Sequence, residues 1–236
     1  MGSVTSETVL NCNRLLAIKN QDMQQILIYS DSLTWGIIPD TRQRLPFDKR
    51  WPGLFEATLD VAGKDVRIIE NCLNGRRTCW ADPFKDGRDG SQGLAQVIEM
   101  HSPLALVILM LGTNDFQCMH NNNAWLSSQG MAKLVDIVRK APIEPGMPVP
   151  EVMIVCPPLI AEPKGDMASK FHGAEKRCSG LPAEFERVAN ELSVLYFDAN
   201  TIIGTSQVDG VHLDAGQHEM LGKALAGAVI QANILE

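Results

Sequence analysis

Five short apolar segments, spread along most of this 236-residue chain, constrain its fold more than any other feature. Each is bounded by polar or turn-forming residues, and four of the five are rich in Ile or Val, a pattern typical of buried β-strands. The segments cover residues 26–29, 66–69, 104–111, 152–156 and 194–197. The longer stretches between them carry apolar residues at spacings of three and four, which indicates helices. Strands that alternate with helices predict a parallel sheet covered by helices on both faces.

The clearest helical spacings fall at residues 51–59, 126–138 and 220–234. No linker rich in Pro, Gly and Ser divides the chain. We therefore interpret residues 23–236 as one domain and residues 1–22 as a flexible N-terminal tail.

The net charge, the apolar runs and the cysteines of the sequence disfavour several kinds of binding partner and cofactor. The chain has 21 basic and 28 acidic residues and a net charge of −7, which disfavours a nucleic-acid partner. Its longest apolar run is far shorter than the ~20 residues of a membrane-spanning helix, and its N-terminus lacks the pattern of a secretory signal. None of the six cysteines forms a Cys-x-x-Cys pair, and no His-Glu-x-x-His motif occurs. We therefore expect a cytoplasmic protein with free thiols that uses no metal or cofactor and binds neither membrane nor nucleic acid.

Four polar clusters follow predicted strands, at residues 30–36, 71–76, 112–115 and 209–212. The carboxyl ends of parallel strands share one edge of a sheet, and the sites of such sheets lie outside that edge. The four clusters should therefore converge on one site.

The residue types in these clusters match the needs of acyl transfer, which uses a hydroxyl nucleophile, a base, a group that orients the base, and donors for an oxyanion. Ser32, at a strand-to-helix turn, is the candidate nucleophile. His212 is the candidate base, and Asp209, three residues earlier, is placed to hold the imidazole in the right tautomer. The candidate oxyanion donors are the backbone N–H groups of Ser32 and Gly75 and the side-chain amide of Asn114.

Each of these residues also has an ordinary structural interpretation. Ser32 could cap a helix, His212 could lie in a surface loop, and Asn114 and Gly75 could be turn residues. Trp35 and Asp31 are candidate substrate contacts, but Trp35 fits the core equally well, and a turn or helix cap is the simpler interpretation of Asp31. The presence of all four clusters favours a catalytic site.

These motifs also carry a family resemblance. They are Asp31-Ser32-Leu33, Gly75, Gly112-x-Asn114-Asp115 and Asp209-x-x-His212. They resemble the four sequence blocks of the GDSL/SGNH hydrolases, and the longer runs at 31–36 and 110–115 are similar to the arylesterase/acyltransferase branch. The resemblance implies a flavodoxin-like three-layer α/β sandwich around a five-stranded parallel sheet. It also implies a Ser32–His212–Asp209 triad, an oxyanion hole formed by Ser32, Gly75 and Asn114, and no metal.

The chain departs from the family pattern at two places. Ser30 stands where the family has glycine. A side chain there introduces strain of about 1–3 kcal/mol if the position needs positive φ or a close approach of another backbone. Alternatively, Ser30 has ordinary β geometry and its hydroxyl caps a nearby amide. The run at 73–78 also differs from the usual run of the branch, and we interpret Arg76 and Arg77 as surface charges.

The sequence thus predicts a serine esterase that acts on short-chain acyl esters, acetyl-type or aryl, with acyl transfer to alcohols as a further activity. The alternatives are a carbohydrate or cephalosporin O-deacetylase, a thioesterase, or a non-catalytic flavodoxin-like ligand-binding module. The long apolar connection at 37–50 predicts a homo-oligomer, because similar enzymes of the branch pack this region against neighbouring subunits.

Overall fold

Five parallel strands form the central sheet of the computed structural model, which describes residues 23–41 and 43–236. The strands are β1 (Gln24–Ser30), β2 (Val66–Cys72), β3 (Leu106–Met110), β4 (Glu151–Cys156) and β5 (Leu195–Asp198). All five predicted strands are confirmed, with small shifts at their ends. Their order, β2-β1-β3-β4-β5, is that of a flavodoxin-like sheet. The predicted tail at 1–22 lies outside the described residues.

Helices cover both faces of this sheet. They are α1 (Ser32–Trp35), α2 (Trp51–Val61), α3 (Leu94–His101), α4 (Ala124–Arg139), α5 (Asp166–Lys170), α6 (Ala174–Arg177), α7 (Leu181–Leu192) and α8 (Ala215–Ala232). The three helices predicted from apolar spacing are confirmed as α2, α4 and α8. Within the described part of the chain, no helix has the length and apolar character needed to cross a membrane.

Alternate residues of β1 divide the buried core between the two faces of the sheet. Ile26 and Ile28 belong to a cluster that includes residues of α2 and α8. Leu27 and Tyr29 belong to a second cluster that includes residues of α3, α4 and α7. The structure therefore confirms the predicted three-layer α/β sandwich.

The helices α3 and α7 were not predicted, because neither begins with the polar side chain that marks a helix start in a sequence. Gly93 precedes α3 and Gly180 precedes α7, with φ angles of 84° and 85°. Glycine adopts this left-handed backbone without steric cost. Both helices pack against α4 and complete one face of the sandwich.

The strand register brings three carboxyl ends level with one another. Ser30, the last residue of β1, pairs with Cys72 at the end of β2 and with Met110 at the end of β3. The loops that follow these strands therefore start side by side, at the edge where the sequence places its polar clusters.

Candidate active site

Ser32 lies at the sharp turn from β1 into α1. The Asp31 side chain caps this helix, since its Oδ1 accepts a hydrogen bond of 2.9 Å from the backbone N–H of Leu33. Gly36, with a φ of 84°, ends the helix after one turn. Ser32 is therefore the first helical residue, whose N–H has no acceptor within the helix, and it lies in the wall of a cavity.

Asp209 and His212 form a tight pair on the loop that precedes α8. The Oδ2 atom of Asp209 lies 2.6 Å from Nδ1 of His212. The Oδ1 atom accepts hydrogen bonds of 2.9 Å from the backbone N–H groups of Val211 and His212, which fixes the rotation of the carboxylate. Gly210 makes the turn possible: its φ is +76°, and a Cβ there would lie 2.3 Å from the backbone oxygen of Glu162.

The carboxyl group of Asp209 is held in its ionised form. Burial acts to raise the pKa of Asp209, but the hydrogen bonds from the His212 ring and from the backbone of His212 and Val211 outweigh this effect and hold the pKa below its usual value. An ionised carboxylate can only accept a hydrogen bond, so it fixes the proton of a neutral His212 on Nδ1 and leaves Nε2 free to act as a base.

Three hydrogen-bond donors meet near Ser32. Among the described residues, no group accepts a hydrogen bond from the backbone N–H of Ser32 or of Gly75. Gly75 reaches its position with a φ of +85°, and both it and Asn114 line the same cavity as Ser32. The Nδ2 atom of Asn114 donates one hydrogen to Asp31 Oδ2 at 2.8 Å, which leaves its second hydrogen for a ligand. Such a set of donors suits a developing oxyanion.

Asp31 lies beneath the cavity rather than in its wall. Its side chain is fully buried and is occupied by the N–H of Leu33 and the amide of Asn114, so its position does not fit the predicted contact with substrate. Burial raises the pKa of Asp31 to about 6, although both hydrogen bonds favour the ionised form. The simpler interpretation of Asp31 as a helix cap matches its position.

The cavity has a volume of about 400 Å³ and brings all four polar clusters together. Its polar residues include Ser32, Gly75, Asn114 and His212, and Lys85 and Lys170 also contribute to its lining. Its apolar wall consists of Trp35, Ile37, Met167 and Phe171. Trp35, predicted as either core or pocket wall, is therefore in the wall.

A second cavity, of about 300 Å³, also has His212 in its wall. It shares Ile37, Met167 and His212 with the first cavity. Its remaining lining is acidic and polar and consists of Asp40, Thr41, Asp166 and Asp209.

Ser32 and His212 line the same cavity. Within the described residues, no hydrogen bond joins the Ser32 hydroxyl to the His212 ring. Nucleophile and base are commonly farther apart in a free enzyme than in its complex with substrate. The arrangement is therefore compatible with a proton transfer that tightens when an ester enters the cavity.

The comparison with known families agrees with this geometry. The model of the GDSL-like lipase/acylhydrolase family matches residues 31–220, which include all four polar clusters except residue 30. The chain belongs to this family. Among curated proteins, the search finds no match.

Solved structures of esterases resemble this family member closely. The inhibitor-bound aryl esterase of M. smegmatis is 32% identical, with 88% of this chain and 99% of that chain covered and a TM-score of 0.83. A carbohydrate acetylesterase from Sinorhizobium meliloti is 34% identical, with coverages of 89% and 99% and a TM-score of 0.82. The lipase/acylhydrolase from Enterococcus faecalis, at 18% identity, 91% and 98% coverage and a TM-score of 0.65, shares the fold. This GDSL-like chain is a carboxylic ester hydrolase.

Ser30, which departs from the family pattern, does not have a positive φ. Among described residues other than glycine, only Asp40, Ser193 and Asn233 do, so the hypothesis of strain from a positive φ is wrong. The Ser30 hydroxyl donates a hydrogen bond of 2.6 Å to the backbone oxygen of Met110 and accepts one of 2.6 Å from Thr34. It therefore bonds a carbonyl and a hydroxyl rather than the amide that the alternative predicted, and it ties β1 and α1 to the end of β3.

We expect Ser30→Gly to lower the free energy of unfolding by about 1–3 kcal/mol, because it breaks two buried hydrogen bonds and frees the backbone. The kcat on an activated ester should stay level or fall. Ser30→Ala, which removes the hydroxyl alone, is the matched control and should lose slightly less stability. Melting temperature and kcat, measured on the same preparations, test this prediction. A higher kcat for Ser30→Gly would contradict it.

Arg76 and Arg77 were predicted as surface charges, and this prediction is wrong because both side chains are buried. Arg76 stacks over the ring of Tyr29 at 3.8 Å and donates to the backbone oxygen of Ser30 at 2.9 Å. Arg77 donates to Asp82 at 3.0 Å and to Gln117 at 2.6 Å. Each guanidinium is compensated by acceptors that the sequence alone does not place next to it.

Asp115 is the link between the loop that carries Gly75 and the segment that carries Asn114. Its carboxylate accepts hydrogen bonds from the backbone N–H and the hydroxyl of Thr78, at 2.9 and 2.8 Å, and from the Ser127 hydroxyl at 2.7 Å. Burial raises the pKa of Asp115 to about 6, against the effect of these bonds. The family motif signals Asp115, whereas no sequence signal identifies Thr78 or Ser127 as its partners.

Proposed function

We propose that this GDSL-like enzyme is a serine esterase that hydrolyses short-chain acyl esters, acetyl-type or aryl, through Ser32, His212 and Asp209. The observation that carries the proposal is the convergence of Ser32, the tightly paired His212 and three oxyanion donors on one cavity of about 400 Å³. The same constellation of nucleophile, base and orienting carboxylate performs acyl transfer on unrelated folds.

In the first half of this reaction, the Ser32 Oγ attacks the ester carbonyl while Nε2 of His212 takes the hydroxyl proton. The carbonyl oxygen becomes an oxyanion and accepts hydrogen bonds from the N–H groups of Ser32 and Gly75 and from Asn114 Nδ2. The tetrahedral intermediate then expels the alcohol, which leaves with the proton from His212. Ser32 remains as an acyl ester.

In the second half, a water molecule gives a proton to His212 and attacks the acyl carbon. The intermediate collapses, Ser32 regains its proton from His212, and the carboxylic acid leaves. An alcohol in place of water would give a new ester, which is the acyl transfer that the sequence predicts as a further activity. Asp209 stays ionised throughout and stabilises the imidazolium that forms in each half.

The size and lining of the cavity support small esters. A volume of about 400 Å³ lies near the lower end of the range for small-molecule sites. The four side chains of the apolar wall provide a limited surface for an acetyl or aryl group, while the rest of the lining is polar or charged. A long acyl chain would have to lie beside Lys85 or Lys170, whose ammonium groups are poor partners for it.

A carbohydrate O-deacetylase is the second candidate, favoured by the similarity to a carbohydrate acetylesterase and by the second cavity. The leaving alcohol takes its proton from His212, so it lies on the His212 side of the ester. The carboxylates of Asp40 and Asp166 and the hydroxyl of Thr41 line the cavity there and can accept hydrogen bonds from sugar hydroxyls.

A panel of esters tests the proposal. The substrates are p-nitrophenyl acetate, butyrate and octanoate together with a peracetylated hexose, and the readout is kcat/KM for each. We expect the highest value for p-nitrophenyl acetate and at least a tenfold fall from acetate to octanoate. A higher value on the acetylated hexose would favour the second candidate.

Ser32→Ala, assayed on every ester, gives the background rate. Turnover no faster than this background on all four esters would refute the proposal and favour a ligand-binding module. The predicted cytoplasmic location and homo-oligomeric state remain part of the proposal, and light scattering at micromolar concentration tests the latter.

A further inference from the structure

A chain of buried side-chain hydrogen bonds runs beneath the candidate oxyanion hole. Arg77 Nη2 donates to Gln117 Oε1 at 2.6 Å, and Gln117 Nε2 donates to Asn114 Oδ1 at 2.7 Å. Asn114 Nδ2 then donates to Asp31 Oδ2 at 2.8 Å. All four side chains are at most 3% exposed, so water does not compete for these bonds.

The donors and acceptors of these hydrogen bonds can be ordered in one way only, because the groups at the two ends fix that order. A guanidinium has donors only, so the carbonyl oxygen of Gln117 must face Arg77 and its NH2 group must face Asn114. The carbonyl oxygen of Asn114 then faces Gln117, and its NH2 group faces Asp31 and the cavity. An ionised Asp31 carboxylate, which has acceptors only, requires the same orientation from the other end. If the side-chain amide of Asn114 or Gln117 turned by 180°, its shape would be nearly the same, but oxygen would face oxygen or NH2 would face NH2 along these bonds.

The guanidinium of Arg77 is itself fixed. Its Nη1 atom donates to Asp82 Oδ2 at 3.0 Å and to the backbone oxygen of Gly75 at 3.4 Å. The backbone N–H of Arg77 donates to the oxygen of Arg88 at 2.9 Å. One guanidinium therefore contacts both the loop that carries the Gly75 donor and the side chain that orients Asn114.

We propose that Arg77 and Gln117 are positioning residues that hold the Asn114 amide with an N–H, rather than its carbonyl oxygen, directed into the oxyanion hole. Neither residue lines the cavity, so each acts through Asn114. This inference rests on the proposed function, because only the proposed esterase reaction makes Asn114 an oxyanion donor. A reversed amide would place a carbonyl oxygen against the developing negative charge.

Gln117→Glu is the sharpest test, because it keeps the shape of the side chain and removes its donors. The introduced carboxylate can still pair with Arg77, which favours its ionised form, but it repels Asn114 Oδ1. Because the ionised Asp31 still binds the NH2 group, the Asn114 amide then faces a carboxylate in either orientation and is no longer held in one. At pH 8, where Asp31 is ionised, we expect kcat to fall by roughly 10²–10³ with KM little changed, as for the loss of one oxyanion donor. The melting temperature should fall, because the broken bond is buried, so kcat is measured well below it.

Two further measurements separate positioning from general damage. In an Asn114→Ala background, which should already have lost roughly 10²–10³ in kcat, Gln117→Glu should have less than a twofold effect. Gln117→Met, which removes the donor without adding a charge, should lower kcat less than Gln117→Glu does. An effect of Gln117→Glu that is equal in both backgrounds, or no loss of kcat in the parent, would overturn the inference.

A readout that needs no turnover keeps this test independent of the proposed function. In the parent, the side-chain amide protons of Asn114 and Gln117 should exchange slowly with D2O, because they are buried and bonded. In Gln117→Glu, the Asn114 amide signal should move and exchange faster in ¹H–¹⁵N spectra. An inactive parent with this NMR change would refute the esterase proposal alone, whereas an unchanged Asn114 signal would refute the positioning role.

Discussion

Ser32→Ala should lose nearly all ester hydrolysis, with kcat/KM reduced on the order of 10⁴-fold or more. The reason is that no acyl-enzyme can form without the Ser32 hydroxyl, so the remaining rate comes only from the oxyanion donors and from bound water. The fold should persist, because the Asp31 cap and the neighbouring bonds of Ser30 do not involve the Ser32 side chain. Hydrolysis of p-nitrophenyl acetate measures the loss.

Covalent labelling gives a second measurement of the same assignment. A fluorophosphonate probe should label the parent on Ser32 and leave Ser32→Ala unlabelled. Ser179→Ala is the matched control, since it removes the hydroxyl of an exposed serine outside both cavities and should label like the parent. Peptide mapping that found the probe on another serine would overturn the choice of nucleophile.

Asp209→Asn should reduce kcat by about 10⁴-fold while the protein stays folded. The Oδ1 position is fixed by the N–H groups of Val211 and His212, so it must remain an oxygen. The introduced NH2 group therefore takes the place of Oδ2, 2.6 Å from His212 Nδ1, and can only donate there. This forces the imidazole proton onto Nε2, and the ring can no longer take a proton from Ser32.

Asp166→Asn is the matched control for this substitution. It makes the same change of charge in the second cavity, which His212 also lines, without replacing the group bonded to Nδ1. We expect less than a tenfold change in kcat for this variant. If Asp209→Asn kept more than a tenth of the parent kcat, the orienting role of Asp209 would be wrong.

The sheet was predictable from the sequence because each of its strands contains a short apolar run, and the runs of the inner strands β1, β3 and β4 are buried from both faces. The position of the candidate site was also predictable. The carboxyl ends of parallel strands lie at one edge of the sheet, so the polar residues that follow the apolar runs lie together at that edge. Residues such as Ser32, Gly75 and His212 lie in one cavity for that reason.

The supporting contacts were not predictable in the same way. Arg77 and Gln117 are 40 residues apart, and only the packing of two loops brings them to 2.6 Å. An arginine in a polar run is usually exposed, so its burial depends on acceptors that the sequence does not place. Ser30 was misjudged in part because its φ depends on pairing with both neighbouring strands, which extends β1 through that residue.

If Ser32 carries the acyl group as proposed, the two cavities that share His212 would make the acyl-enzyme a kinetic branch point. The first would still hold the acyl group after the alcohol has left, while the second would be open to whichever acceptor enters next, and both open onto the same imidazole. The ratio of transesterification to hydrolysis would then depend on how long an alcohol resides between Asp40 and Asp166. For an ester whose own alcohol does not reach the second cavity, Asp40 and Asp166 would thus set product composition without changing the rate at which Ser32 is acylated.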